Sequence, residues 1–189
     1  MMLISTEREK LINAILFFAS NTNFCGKVKL FKLLYLFDFD HFRESGRPAL
    51  GLDYRAWKLG PVPLEVMQEW DQPETDFAAA VDIVPEQVID YVRETVVAKR
   101  AFDDCAFTKR ELRIMRDLSD RFRDEKTRPI IDFTHAQRGP WDKIWDSGRG
   151  LNERIPYSLA VADTDPNAEA VLEWSREYEG IRTADAQRH

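Results

Sequence analysis

Apolar residues recur at helical spacing through most of the chain, and in one segment they cover nearly the whole circumference. Leu11, Ile12, Ile15, Leu16 and Ala19 fall on one side of a helix. Thr6-Glu7-Arg8-Glu9 reads as the capping box that opens it, and residues 21–26 break it. Over residues 28–42, Leu30, Leu33, Leu34 and Phe37 follow the i, i+3, i+4, i+7 rule, while Phe31, Tyr35, Leu36 and Phe39 fill much of the remainder. A helix apolar on most sides has to be enclosed by other elements, which makes this the expected central helix.

Residues 53–59 alternate and predict a short strand. Gly60-Pro61-Val62-Pro63 is expected to end it, because two prolines remove ladder donors, and Pro63 suits the first turn of a helix reaching Trp70. Residues 71–82 are polar and read as an exposed loop. Residues 85–90 are expected as a short helix and 92–99 as a strand pairing with the first. A second capping box, Thr108-Lys109-Arg110-Glu111, opens a helix with Leu112, Met115, Leu118 and Phe122 inward. Short helices at 129–135 and 141–145, a Gly-rich loop at 147–156 and an extended stretch at 157–162 follow. A last helix runs from Asp165-Pro166 to Tyr178, and the final ten residues are expected to fray. The fold class is therefore α+β, mainly α-helical: a helical domain around a central apolar helix with a small antiparallel sheet. Residues 1–165 form one domain, and 166–189 form a C-terminal helix and frayed tail.

Composition narrows the function classes. Of 189 residues, 44% are hydrophobic and 32% charged, the balance of a chain that builds a core. A net charge of -6 argues against wrapping nucleic acid, which needs a local excess of Lys and Arg. The tight group Lys27, Lys29 and Lys32 is expected to be a solvated rim around the apolar helix. Cys25 and Cys105 lack metal or redox spacing and read as reduced thiols, Cys25 as a small buried hydrophobe. No secretory signal and no run of about 20 apolar residues is visible, so the expected location is cytoplasmic.

Candidate chemistry is sparse. Asp38, His41 and Glu44 recur every three residues, with His135 as the natural third ligand of a metal or acid/base site; the plainer reading is a polar helix end. Gly148-Arg149-Gly150 lacks the remaining features of a phosphate loop. Trp57, Trp70, Trp141 and Trp145 could line a ligand cage or serve as core and interface anchors. The Gly60–Pro63 corner is a rigid junction that beside Trp57 would suit a protein contact. No cofactor is expected.

The helix LFKLLYLFDFDHF carries Lys32, Leu33, Leu34, Tyr35, Asp38 and His41 in the order K-L-L-Y-hydrophobic-x-D followed by His. The strand end W-K-x-G-P-V stands at Trp57, Lys58, Gly60, Pro61 and Val62, and a weaker echo follows at Thr134-His135, a Gly-Pro-Trp turn and Asn152–Tyr157. In these parts the chain resembles the Panacea domain, the SocA-like antitoxin family. The resemblance implies a non-enzymatic antitoxin that binds and neutralises a co-encoded protein toxin. It also implies an alternative role, a proteolytic adaptor delivering the toxin to a Clp-type protease. Some members carry a DNA-binding region ahead of this domain; with a first helix starting near residue 7, none is expected here. The expected partners are a cognate toxin, a Clp-type protease in the adaptor reading, and a second copy in a homodimer, with neither nucleic acid nor membrane. Candidate contact residues are Tyr35, Asp38, His41, Trp57, Pro61, Pro63 and Trp141. The reading from a different class is a small metal-dependent hydrolase using Asp38, His41 and His135.

Overall fold

The computed structural model describes residues 6–89, 91–136 and 139–186. Helices α1 (Thr6–Asn21) and α2 (Lys27–Ser45) lead into strands β1 (Tyr54–Trp57) and β2 (Gly60–Pro63). Helices α3 (Leu64–Glu69) and α4 (Thr75–Ala80) precede strands β3 (Val81–Val88) and β4 (Tyr91–Ala98). Helices α5 (Lys109–Phe122), α6 (Thr127–Thr134), α7 (Pro140–Trp145) and α8 (Ala168–Ala186) complete the order. The architecture is α+β and mainly helical, as the apolar periodicity indicates.

The centre is α2. It packs against α1, α5, α6, α8, β2 and β4, and its Leu30, Leu33, Leu34 and Phe37 are fully buried. The same helix buries the side chains of Lys29, Lys32 and Asp38, with Lys29 and Lys32 only 0% and 1% exposed. The expected solvated lysine rim is therefore absent at these two positions. A buried charge costs several kcal/mol unless hydrogen bonds replace its water, and loop backbone supplies them here. Lys29 Nζ donates to the carbonyls of Asn23 (2.6 Å) and Glu125 (2.7 Å), tying the loop after α1 to the chain leaving α5.

Asp38 does the reverse job with an acceptor. Its carboxylate receives the N–H groups of Leu50 (2.5 Å), Gly51 (3.2 Å) and Leu52 (3.4 Å) and the hydroxyl of Tyr54 (3.0 Å). Burial raises its pKa, opposed by those backbone donors. The Tyr157 hydroxyl lies 2.6 Å from the Leu52 carbonyl and 3.1 Å from Asp38 Oδ2, but it has one proton for two acceptors.

Several local expectations are corrected. Segment 81–98 forms a hairpin of its own, β3 on β4 with Val84 opposite Thr95, so there are two separate two-stranded sheets rather than one. The helix expected at 85–90 is strand as far as Val88, and its residue 90 lies outside the described residues. The hairpin escaped the alternation test because most of β3 is exposed on both faces. The expected loop at 71–82 contains α4. Tyr157–Ala160 is a short 3-10 helix rather than extended. Helix α8 continues past Tyr178 to Ala186; of the expected frayed tail, residues 187–189 lie outside the described residues. Thr6 already lies within α1, and Glu9 pairs with Asn13 and Arg100 instead of closing a capping box, whereas the box at Thr108 and Glu111 forms as expected.

Asp38→Ala leaves the Leu50 and Gly51 amides without their acceptor and is expected to cost about 3 kcal/mol or more. Urea unfolding followed by tryptophan fluorescence checks this, with Asp38→Asn, which keeps one oxygen, falling between; an unchanged midpoint for the alanine variant would refute it.

Candidate functional site

Strand β1 turns through Lys58 and Leu59 directly into β2, with Trp57 opposite Gly60 and Ala56 opposite Pro61. The sequence places prolines where a strand should end, yet β2 pairs. The reason lies on the other edge of β1. There, Ala56 N–H donates to the Glu153 carbonyl, and the Ala56 and Tyr54 carbonyls accept from Asn152 and Ile155. Ala56 and Tyr54 thus direct their backbone groups away from β2, so their partners Pro61 and Pro63 occupy positions where no N–H is needed.

Three elements grip this turn from the inside. Trp141 Nε1 on α7 donates to the Trp57 carbonyl at 3.0 Å, and Lys32 Nζ on α2 donates to the Pro61 carbonyl at 2.8 Å. Between them, the Leu59 backbone hydrogen-bonds the His135 ring just past α6 and favours its protonated form. Alternate carbonyls of the turn, 57, 59 and 61, are thereby held by the side chains of Trp141, His135 and Lys32 packed beneath it. His135 stacks on Trp141 with ring centres 3.7 Å apart, and Trp141 stacks on Trp145 at 5.5 Å.

Gly60 has φ +100°, and a Cβ there would sit 2.7 Å from Lys32 Cε and 2.9 Å from His135 Nε2. Only glycine combines that backbone conformation with so close an approach. Burial lowers the pKa of Lys32 to about 7, and burial with neighbouring Lys32 lowers that of His135. His135 Nε2 has no hydrogen-bond partner.

The outer side of this turn is apolar. Trp57 is 36% exposed, Leu59 55% and Leu151 60%. The pairing of Asn152 with Ala56 and the contact of Trp57 Nε1 with Asn152 Oδ1 (3.3 Å) bring Leu151 to the same end of the hairpin.

Of the seven candidate contact residues, Trp57 reaches the surface. Tyr35, Asp38, His41, Pro61, Pro63 and Trp141 are buried, so their side chains shape the site from beneath instead of lining it. The hydrolase constellation is not assembled. His41 Nδ1 donates to the Arg47 carbonyl (2.8 Å), Asp38 is enclosed by the 50–54 segment, and Glu44 pairs with Arg113. His135 lies beside Lys32, nine residues and about 13 Å along α2 from His41. Among the described residues, the acidic groups close enough to share a cation are Glu69/Glu74/Asp76 and Asp103/Asp104/Cys105, and neither includes these three. The four tryptophans do not form a cage, since Trp70 packs edge-on against Phe31. Burial pushes the Cys25 thiol up to about 11, which fits an inert core cysteine.

Sequence reasoning missed the grip on the turn, because a lysine in an apolar helix is by default given to solvent. The available signal was Lys32 itself, flanked on both sides by residues that had to be buried.

The residues that hold the turn fall within one family signature. Residues 30–142, more than half of the chain, match the family described as "Antitoxin SocA-like, Panacea domain", and the chain belongs to that family. Searches of curated proteins and of solved structures return no significant match.

Gly60→Ala is expected to destabilise the fold by about 2 kcal/mol through backbone strain and displacement of Lys32, read as a lowered thermal midpoint; no shift would show that the turn tolerates a Cβ. The lysine gives a pH signature. With a folded pKa near 7 against an ordinary value above 10, the unfolded chain binds more protons between these limits, so stability from this group rises with pH. The stability of wild type relative to Lys32→Met should therefore increase from about pH 7 to about pH 9.5 in paired urea titrations. A difference that stays constant would show that Lys32 is not protected from charging.

Proposed function

We propose that this protein is an antitoxin that neutralises a co-encoded protein toxin by direct binding, and that the gripped hairpin tip forms part of its contact surface. Family membership supports the antitoxin role. The observation that carries the surface is an exposed tryptophan on a turn whose carbonyls are fixed from within. A rigid aromatic anchor loses little entropy on binding, and such residues dominate interface energetics.

Trp57, Leu59 and Leu151 would form the centre of a contact burying about 800 Å² on each partner. A net charge of -6 would speed capture of a basic toxin. The reading calls for no catalytic centre. No helix among the described residues is long and apolar enough to cross a membrane.

Co-expression with the adjacent toxic gene is expected to restore growth and to yield a stable copurifying complex. The double variant Trp57→Ser/Leu59→Ser should weaken that complex at least about tenfold while leaving the thermal midpoint near wild type. Rescue accompanied by protease-dependent disappearance of the toxin would replace masking with adaptor delivery. Full-strength binding by the double variant would move the interface elsewhere.

A further inference from the structure

Of the eleven large apolar side chains exposed among the described residues, five stand on the β3–β4 hairpin and a sixth, Phe24, beside it. The register divides the hairpin between two faces, because directly paired residues point to the same side. Val81, Ile83 and Val96 share the inner face, where Val81 and Val96 are buried. The Val96 N–H also donates to the Cys25 carbonyl at 2.9 Å, which ties the base of the hairpin to the chain before α2. Val84, Tyr91 and Val97 share the outer face with Glu86, Arg93 and Thr95. The segment before α2 extends this outer face on the β4 side: Gly26 bridges to Thr95, and the Arg93 guanidinium lies 5.2 Å from the centre of the Phe24 ring. More exposed apolar side chains gather here than at the β1–β2 tip, and no other element packs over them among the described residues.

Charge indicates what would cover this face. The chain carries -6, yet the outer face is neutral: Arg93 pairs with Glu86 at 2.6 Å and Lys99 with Asp82 at 3.2 Å. A basic partner would be steered to the acidic surface of the chain instead, and a nucleic acid needs a basic one. Two copies of an acidic chain repel one another, and they do so least where each presents a neutral apolar face. The hairpin also limits how two copies can meet. No further strand pairs with β3 among the described residues, so its outer edge is free, but Pro85 stands in the middle of it. A proline supplies no N–H to an added strand, which disfavours edge-to-edge pairing and leaves the face for contact.

We propose that the outer face of the β3–β4 hairpin is a homodimer contact, in which the hairpins of two copies pack face to face about a two-fold axis. The contact is isologous, so Val84, Val97 and Phe24 of each copy bury the same patch of the other. Strands of eight residues are about 27 Å long, and two strands with the 24–26 segment alongside are about 15 Å wide. The footprint is therefore about 400 Å² on each copy, roughly half that of a standard stable interface. Such an area supports a reversible dimer with a dissociation constant of about 10–100 μM. The face shares no residue with the β1–β2 tip and does not depend on the antitoxin reading.

Sedimentation equilibrium of the full chain, from low micromolar to several hundred micromolar, tests this. A reversible monomer–dimer equilibrium is expected. Val84→Glu/Val97→Glu should weaken it at least about tenfold, and Val84→Lys/Val97→Lys should do the same, because each sets like charges against one another across the two-fold axis. An equimolar mixture of the two double variants should dimerise at least as tightly as wild type, a result that misfolded variants could not give. Trp57→Ser/Leu59→Ser, at the other hairpin, should leave the equilibrium unchanged. A chain that stays monomeric over the whole range, or a dimer that the Val84/Val97 variants do not weaken, would overturn the proposal. So would a monomer whose β3–β4 face becomes protected from hydrogen exchange only in a toxin complex, which would give the face to the toxin.

Discussion

The side chains of Asp38, Lys29 and Lys32, buried on one apolar helix and each satisfied by loop backbone, are the constraint on which the rest of the structure depends. Removing three ionisable groups from water is unfavourable, and an aliphatic helix would have formed a core without them. What they add is definition. Hydrophobic contact is non-directional and would hold a loop against α2 in many registers. Asp38 accepts from successive amides at 50, 51 and 52, whereas Lys29 and Lys32 donate to carbonyls at 23, 125 and 61. A loop shifted by one residue would leave a buried polar group without partners. The helix thus specifies loop conformation as well as burying its own apolar surface.

The β1–β2 hairpin shows what this specification makes possible. A two-stranded ribbon is marginal alone, and a turn of Lys58-Leu59 lacks the Asn-Gly or Asp-Gly chemistry that favours tight hairpins. Here Asp38 fixes the chain entering β1, and Lys32, His135 and Trp141 fix the turn and its exit. With its backbone satisfied from beneath, the tip can expose Trp57 and Leu59 outward without collapsing onto the core. Rigidity at the surface is the product of polar groups in the interior, which links the family's buried signature residues to the proposed contact surface, which they do not themselves line.

How much of this was legible differs by element. The centrality of α2 and the inward face of α5 follow from apolar periodicity, and the Thr108 to Glu111 capping box could be read to the residue. The roles of Lys29 and Lys32 could not, because a lysine's destination depends on whether a loop carbonyl awaits it, and that is tertiary information. Pro61 and Pro63 read as strand breakers because the missing donor is visible in sequence. The identity of the edge facing away from β2 is not. The β3–β4 hairpin was lost for another reason. It stands largely outside the core, so burial imposed little alternation on residues 81–88. Asp38 and His41 were recognised as special, but their spacing suggested a shared site. In the fold the Asp38 side chain turns to the 50–54 segment and the imidazole to the Arg47 carbonyl.

Native-state hydrogen exchange at the Leu50, Gly51 and Leu52 amides tests the central claim most directly. These lie in an irregular segment, and Gly51 is exposed, so ordinary loop behaviour would give fast exchange. If Asp38 fixes the segment as described, the Leu50 and Gly51 amides exchange as slowly as the amides of α2, through global unfolding. Exchange of both at the rate of the exposed 147–151 loop would contradict the account, leaving α2 as a hydrophobic core helix whose buried charges organise nothing around it.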